Sequence, residues 1–223
     1  MNIYQIEAAL SSSDSNDRLK AIAQLRGYNP KQAVPLLRSK LQDPEFLVRS
    51  FVAMGLGRQQ TPESFTALLE LMKCDRDPNV RAEAANSLSM FGKIAASHLV
   101  LAFHQDDHWL VRRSIMAALC EMPCPEELLD VCVCGLAGED LTVREAAIDG
   151  FGVLASGNKQ AEALQQVLPL VSSTVPEKSE WRIRARVARA LRKFDHPQAK
   201  SAISYMMKDE DHRVVAAALE SSL

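Results

Sequence analysis

Long apolar runs are missing from this chain. Although 47% of its 223 residues are hydrophobic, no stretch approaches the roughly 18 residues needed to cross a bilayer, and no membrane partner is expected. Met1 to Leu10 place no basic region ahead of an apolar segment, which argues against a secretory leader. Cysteine is modest and odd in number: Cys74, Cys120, Cys124, Cys132 and Cys134. Without a leader these read as reduced thiols of a cytoplasmic protein. Charge of one sign is absent too. Lys and Arg number 26 against 28 Asp and Glu, a net charge of −2 and a pI of about 6.2. A nucleic-acid groove needs basic side chains along several segments to neutralise phosphates. Here the positive charge gathers in one segment, and no nucleic-acid partner is expected. There is no Gly-rich phosphate loop, no Gly-x-Ser-x-Gly elbow and no His-Glu-x-x-His helix. No Gly/Ser linker interrupts the chain, and a single domain over residues 1–223 is expected.

What the chain does have is a pattern that returns about every 31 residues. Val48-Arg49 leads to Val52, Ala53 and Leu56, and Val80-Arg81 to Ala84, Ala85 and Leu88. Val111-Arg112 leads to Ile115, Met116 and Leu119, and Val143-Arg144 to Ala147, Ile148 and Phe151. Ile183-Arg184 precedes Val187, Ala188 and Leu191. Arg18, with Ala21, Ile22 and Leu25, is a weaker first copy, and Val214-Val215 with Ala218 is a degenerate last one. The Arg-slot steps are 31, 32, 31, 32, 40 and 31, so an insertion of about nine residues sits before the sixth copy, near 157–179. A fixed period in this range marks a solenoid.

Each unit reads as helix, turn, helix. Pro30 begins a helix carrying Val34, Leu37 and Leu41. Asp43-Pro44 reads as its stop and as the start of the next, because Asp accepts from free backbone amides and Pro fits the first helical turn. Val48, Val52, Ala53 and Leu56 then form one apolar stripe. Gly55 and Gly57 are expected to end that helix, since glycine tolerates the left-handed cap. Pro62, Asp77-Pro78 and Gly92 punctuate the third unit, Asp106 and Asp107 the fourth, and Asp140 the fifth. The fold expected is all-α: an α-solenoid of about seven helix pairs, wound as a curved superhelix. The recurring Arg sits near a helix start, where stacked units would set it beside an Asp of its own or the adjoining repeat. A ladder of paired charges through Arg49, Arg81, Arg112 and Arg144 is the structural expectation.

Asp77 to Leu88 spells Asp-Pro-x-Val-Arg-x-x-Ala-Ala-x-x-Leu and resembles the HEAT-like repeat. The short period resembles the branch found in phycobilin lyases and their relatives. The chain length, Arg49 to Gly57 and Asp106 to Arg113 resemble the cyanobacterial phycobilisome-degradation members of that family. The resemblance implies binding to phycobiliprotein subunits or to their bilin, with assistance to chromophore detachment. A lyase-like role in attaching chromophore, and a non-enzymatic protein–protein scaffold, remain alternatives. No cofactor is implied, with phycocyanobilin entering as a possible ligand.

In such solenoids the second helices line the concave face. Side chains three and six positions after each Val point away from the stripe: Phe51 and Met54, Glu83 and Asn86, Ser114 and Ala117, Ala146 and Asp149, Arg186 and Arg189. Arg113 is grouped with this partner-binding set. Segment 178–194 carries seven basic residues against Glu180 alone. Its Arg182, Arg186, Arg189 and Lys193 share a face, and beside Trp181 they suit bilin propionates by charge and stacking; Asp149 suits pyrrole nitrogens. The competing reading is a solvated basic face, or one paired with acidic neighbours such as Glu177, Glu180 and Asp195. His104, Asp106, Asp107, His108 and Trp109 cluster at one turn, where the Asp residues read as caps and His108 with Trp109 as a surface contact. The cysteines lack a Cys-x-x-Cys knuckle, so no metal site is expected; Cys124 reads as the most accessible thiol that could hold a bilin.

Overall fold

Capping chemistry fixes where the helices begin. The computed structural model describes residues 1–172 and 180–220. Fourteen α-helices and two short 3₁₀ turns occupy the described residues, with no strand among them. In chain order the first eight are α1 (Ile3–Leu10), α2 (Ser15–Gln24), α3 (Pro30–Arg38), α4 (Phe46–Gln59), α5 (Pro62–Cys74), α6 (Pro78–Ser89), α7 (Lys93–Gln105) and α8 (Trp109–Cys120). Then come α9 (Pro125–Ala137), α10 (Leu141–Val153), α11 (Gln160–Val167), α12 (Glu180–Leu191), α13 (Pro197–Met206) and α14 (His212–Leu219). Asn29, Thr61, Asp77, Asp140 and Asp211 accept from amides of the first turn, and proline follows the cap in α3, α5 and α6. The result is an all-α solenoid of helix pairs.

Two compact units divide the chain, residues 1–122 with α1–α8 and residues 123–223 with α9–α14. In the first, the even-numbered helices pack directly on one another, α4 on α6 and α6 on α8, while α3, α5 and α7 meet far more sparsely. Close approach on one side and splay on the other put the second helices on the inner face of that unit. In the second unit α10, α12 and α14 stack in the same way. The repeated stripe is the core: Val48, Val52, Leu56, Val80, Leu88, Val111 and Leu119 in one unit, and Val143, Phe151, Val187 and Leu191 in the other, are buried.

The glycines of α4 do a different job from the one their sequence position suggests. The helix runs past them to Gln59, and Gln60 takes the left-handed cap at φ 49°. A Cβ on Gly57 would lie 2.8 Å from Ser87 Cβ, so glycine lets α6 approach. Similarly, Asp43 does not cap α4, whose N-cap is Glu45, and His108 rather than Asp106 or Asp107 caps α8. Part of the expected insertion, 173–179, lies outside the described residues.

Candidate functional site

Two kinds of charged site grow from the repeat. The first is the ladder at the helix-start edge. Arg18 donates through Nε and Nη2 to Asp43 at 2.8 and 2.9 Å. Arg49 does the same to Asp75 at 2.7 and 2.9 Å, Arg81 to Asp106 at 2.6 and 3.3 Å, and Arg184 to Asp209 at 2.8 and 3.0 Å. Each is a bidentate fork on the aspartate of the following repeat. Each of these Asp residues also accepts the backbone N–H two residues on. Arg49, Arg81 and Arg112 further donate to the carbonyl six residues back. Burial works against the Asp75 and Asp106 carboxylates, but the Arg and backbone donors outweigh it and hold both below the usual carboxylate range.

The ladder departs from expectation at two rungs. Arg112 lies over the Phe103 ring, 5.4 Å from its centroid, and bonds the Asp106 carbonyl. Arg144 keeps a buried Nε without a hydrogen-bond partner among the described residues. The sequence gives the reason. Six residues before the next repeat's Arg slot stand Asp43, Asp75, Asp106 and Asp209, but Gly138 and Lys178 at the two remaining places; position 178 lies outside the described residues.

The second charged site is the inner face of α10, α12 and α14. Glu145 is buried and faces two guanidiniums, Arg182 Nε at 2.7 Å and Arg186 Nη2 at 3.3 Å. Arg186 also pairs with Asp149, and Arg189 forks onto Glu220 at 3.1 and 3.2 Å. Arg213 lies over the Trp181 ring, 3.5 Å from its centroid. The residues expected to receive bilin propionates and pyrroles, namely Arg186, Arg189, Trp181 and Asp149, therefore hold one another or their neighbours. Of the acids expected to neutralise them, Glu177 and the Glu180 side chain lie outside the description, and Asp195 pairs with Lys200 at 2.7 Å. Glu145, which joins Arg182 and Arg186, was missed. It sits two positions after Val143, outside the apolar stripe and facing the next second helix, a position at which the repeat pattern carries no expectation.

On the inner face of the first unit, charges are less committed. Phe51 and Met54 are half-buried and border a cavity of about 230 Å³. Asn86 and Arg113 are exposed. Burial pushes the Glu83 carboxyl up, against its bond from Ser87 and the charge of Arg58. A larger hollow of about 510 Å³ opens between α5 and α7, bordered by Met72, His98, Leu101 and Asp107; the first-helix spacing held no signal for it. His108 Nδ1 accepts from the Leu110 N–H at 3.2 Å, so this ring is a helix cap, and the 42%-exposed Trp109 stacks beside it. The most exposed thiol is that of Cys74, not Cys124, which is buried where α9 begins. Among the described residues no three His, Cys, Asp or Glu side chains gather as metal ligands.

No curated protein matches the chain. Among solved structures, the E. coli protein YibA aligns with 97% of this chain and 80% of its own, at 17% identity and a TM-score of 0.65. The complex of CpcE and CpcF of phycocyanin lyase from Nostoc sp. PCC7120 aligns with 97% of this chain and 85% of the other, at 20% identity and a TM-score of 0.54. Both likenesses are of fold. The sequence profile of HEAT repeats matches residues 5–89, 47–120 and 129–223. With the Arg–Asp ladder and stacked helix pairs underneath that match, the chain belongs to the HEAT-repeat family.

Proposed function

We propose that this chain is a recognition module that docks a phycobiliprotein subunit on the inner face of its first unit and assists antenna breakdown by holding its partner. The observation that carries this is the contrast between the two inner faces. Around α2, α4, α6 and α8 the half-buried Phe51 and Met54 and the exposed Asn86 and Arg113 remain available, whereas the cations around α12 are bound by Glu145, Asp149 and Glu220. The identity of the partner rests on the sequence resemblance, and the shared fold with the CpcE–CpcF complex is compatible with it.

Direct handling of a bilin, for detachment or attachment, is the second reading. It would require Arg186 and Arg189 to exchange their carboxylates for propionates and Trp181 to release Arg213. Purified protein titrated with holo-phycocyanin and with free phycocyanobilin separates the two. Association in sedimentation, without a change in the spectrum of the free pigment, is the expected result. Failure to associate with any phycobiliprotein subunit would sink the proposal. A red-shifted pigment spectrum that disappears in Arg186→Gln would put the bilin reading in its place.

A further inference from the structure

We propose that the trough between α2 and α4 is an anchor pocket for one large apolar side chain of a partner protein, carried on a segment with carboxylates beside it. This goes beyond the phycobiliprotein reading, because it specifies the chemistry of the anchor and would stand with another protein partner.

The pocket is built by helical spacing. Phe51, Met54, Gly55 and Arg58 lie at i, i+3, i+4 and i+7 along α4, a single stripe that forms one wall. Ile22, Ala23 and Arg26 form the other. The floor is the buried Leu25 and Leu37. Gly55 keeps that floor open: a Cβ there would lie 2.8 Å from Leu37 Cδ2. Apolar atoms thus line the depth while two guanidiniums stand at the rim.

Volume and charge together choose the occupant. At about 230 Å³ the cavity is smaller than the ~300–1,000 Å³ of small-molecule sites. It suits one leucine- or phenylalanine-sized side chain rather than a linear tetrapyrrole. Arg26 and Arg58 are exposed, and neither forms an ion pair with a carboxylate among the described residues. The hydrogen bond of Arg58 goes to Met54 Sδ at 3.8 Å. Each guanidinium therefore keeps a fork of donors at the edge of an apolar hole, the arrangement that rewards a buried anchor flanked by carboxylates. Position 186 illustrates the opposite case, in which the fork is already filled from within the chain.

The test uses three fluorescein-labelled helical peptides read by anisotropy on the full chain. One carries a single Phe among glutamates, one has lysines for the glutamates, and one has alanine for the Phe. The acidic apolar peptide should bind roughly tenfold or more tighter than either control. The surface double variant Arg26→Glu with Arg58→Glu should reverse the charge preference. Ala23→Trp, at an exposed position on α2, should abolish binding with the helical circular dichroism unchanged. Absence of binding by the acidic apolar peptide, or a charge preference unmoved by the double variant, overturns the pocket. Sedimentation with phycocyanin is scored separately. Peptide binding without phycocyanin association keeps the pocket and removes that partner; phycocyanin association without peptide binding does the reverse.

Discussion

The two units spend their charge in different places. In the first, Arg18, Arg49 and Arg81 reach along the helix-start edge to Asp43, Asp75 and Asp106, and the inner face is left with little internal pairing. In the second, one such rung stands among the described residues, Arg184 to Asp209, and cations lie on the inner face, where Glu145, Asp149 and Glu220 hold them. The same repeat can thus put its ion pairs at the edge, where they fasten neighbours, or on the face, where they also occupy the surface a partner would use.

The sharpest way to break this comparison is to remove a rung. Asp75 and Arg49 side chains are each only 5% exposed. Truncating one partner of a buried pair costs about 3 kcal/mol or more, because it strands the other charge. Asp75→Ala should lose about that much from the first unit, whereas Arg144→Ala, whose Nε has no hydrogen-bond partner among the described residues, should lose about 1 kcal/mol or less. The two tryptophans make the measurement local. Trp109 reports on the first unit in a Trp181→Phe background, and Trp181 on the second in Trp109→Phe, each followed through urea unfolding. Equal losses in the two units would erase the distinction.

Acid should expose the same difference. Asp75 and Asp106 titrate below their ordinary values, so their contribution is present above the unfolded carboxylate pKa of about 3.9 and is lost as pH falls through the folded values. Stability reported by Trp109 should hold near pH 6 and drop steeply below about pH 4. Asp75→Asn should flatten that drop. A wild-type curve no steeper than that of the variant would count against the ladder as the acid-sensitive element.

Glu145→Gln keeps shape but removes the charge between Arg182 and Arg186. It should cost the second unit about 1–2 kcal/mol while leaving association with a partner at the first unit unchanged. Weakened association with this variant would move the docking face to α10 and α12.

Much of this was legible because repeats make local rules cumulative. Pro30, Pro62, Asp77-Pro78 and Asp140 start their helices as their chemistry dictates. That a repeated Arg should meet an Asp also followed from register. Which Asp it meets did not, because capping and ladder roles fall to acids two residues apart: Asp75 takes the Arg and Asp77 the cap. The same ambiguity hid the role of Asp43. The pairing of Arg186 with Asp149 spans 37 residues and depends on how far one second helix is rotated against the next, which no single-helix wheel contains. Gly55 and Gly57 read as stops because a packing glycine and a capping glycine look alike in sequence.

The smallest expected effect sharpens the comparison most finely. Glu83 sits half-buried on α6, and burial raises its pKa despite the Ser87 bond and the charge of Arg58. A raised carboxyl favours the protonated fold. Its contribution is full below the unfolded pKa and is lost as pH rises through the folded one. The first unit therefore carries a small penalty at neutral pH that the ladder offsets. Glu83→Gln should raise stability read at Trp109 by about 0.5 kcal/mol at pH 7 and by nothing measurable below about pH 4. It should also strengthen binding of the acidic apolar peptide, by roughly twofold, by removing a negative charge that acts on Arg58. A gain in stability without a gain in binding would mean that Arg58 does not face the occupant, and would leave Arg26 as the cation at the rim.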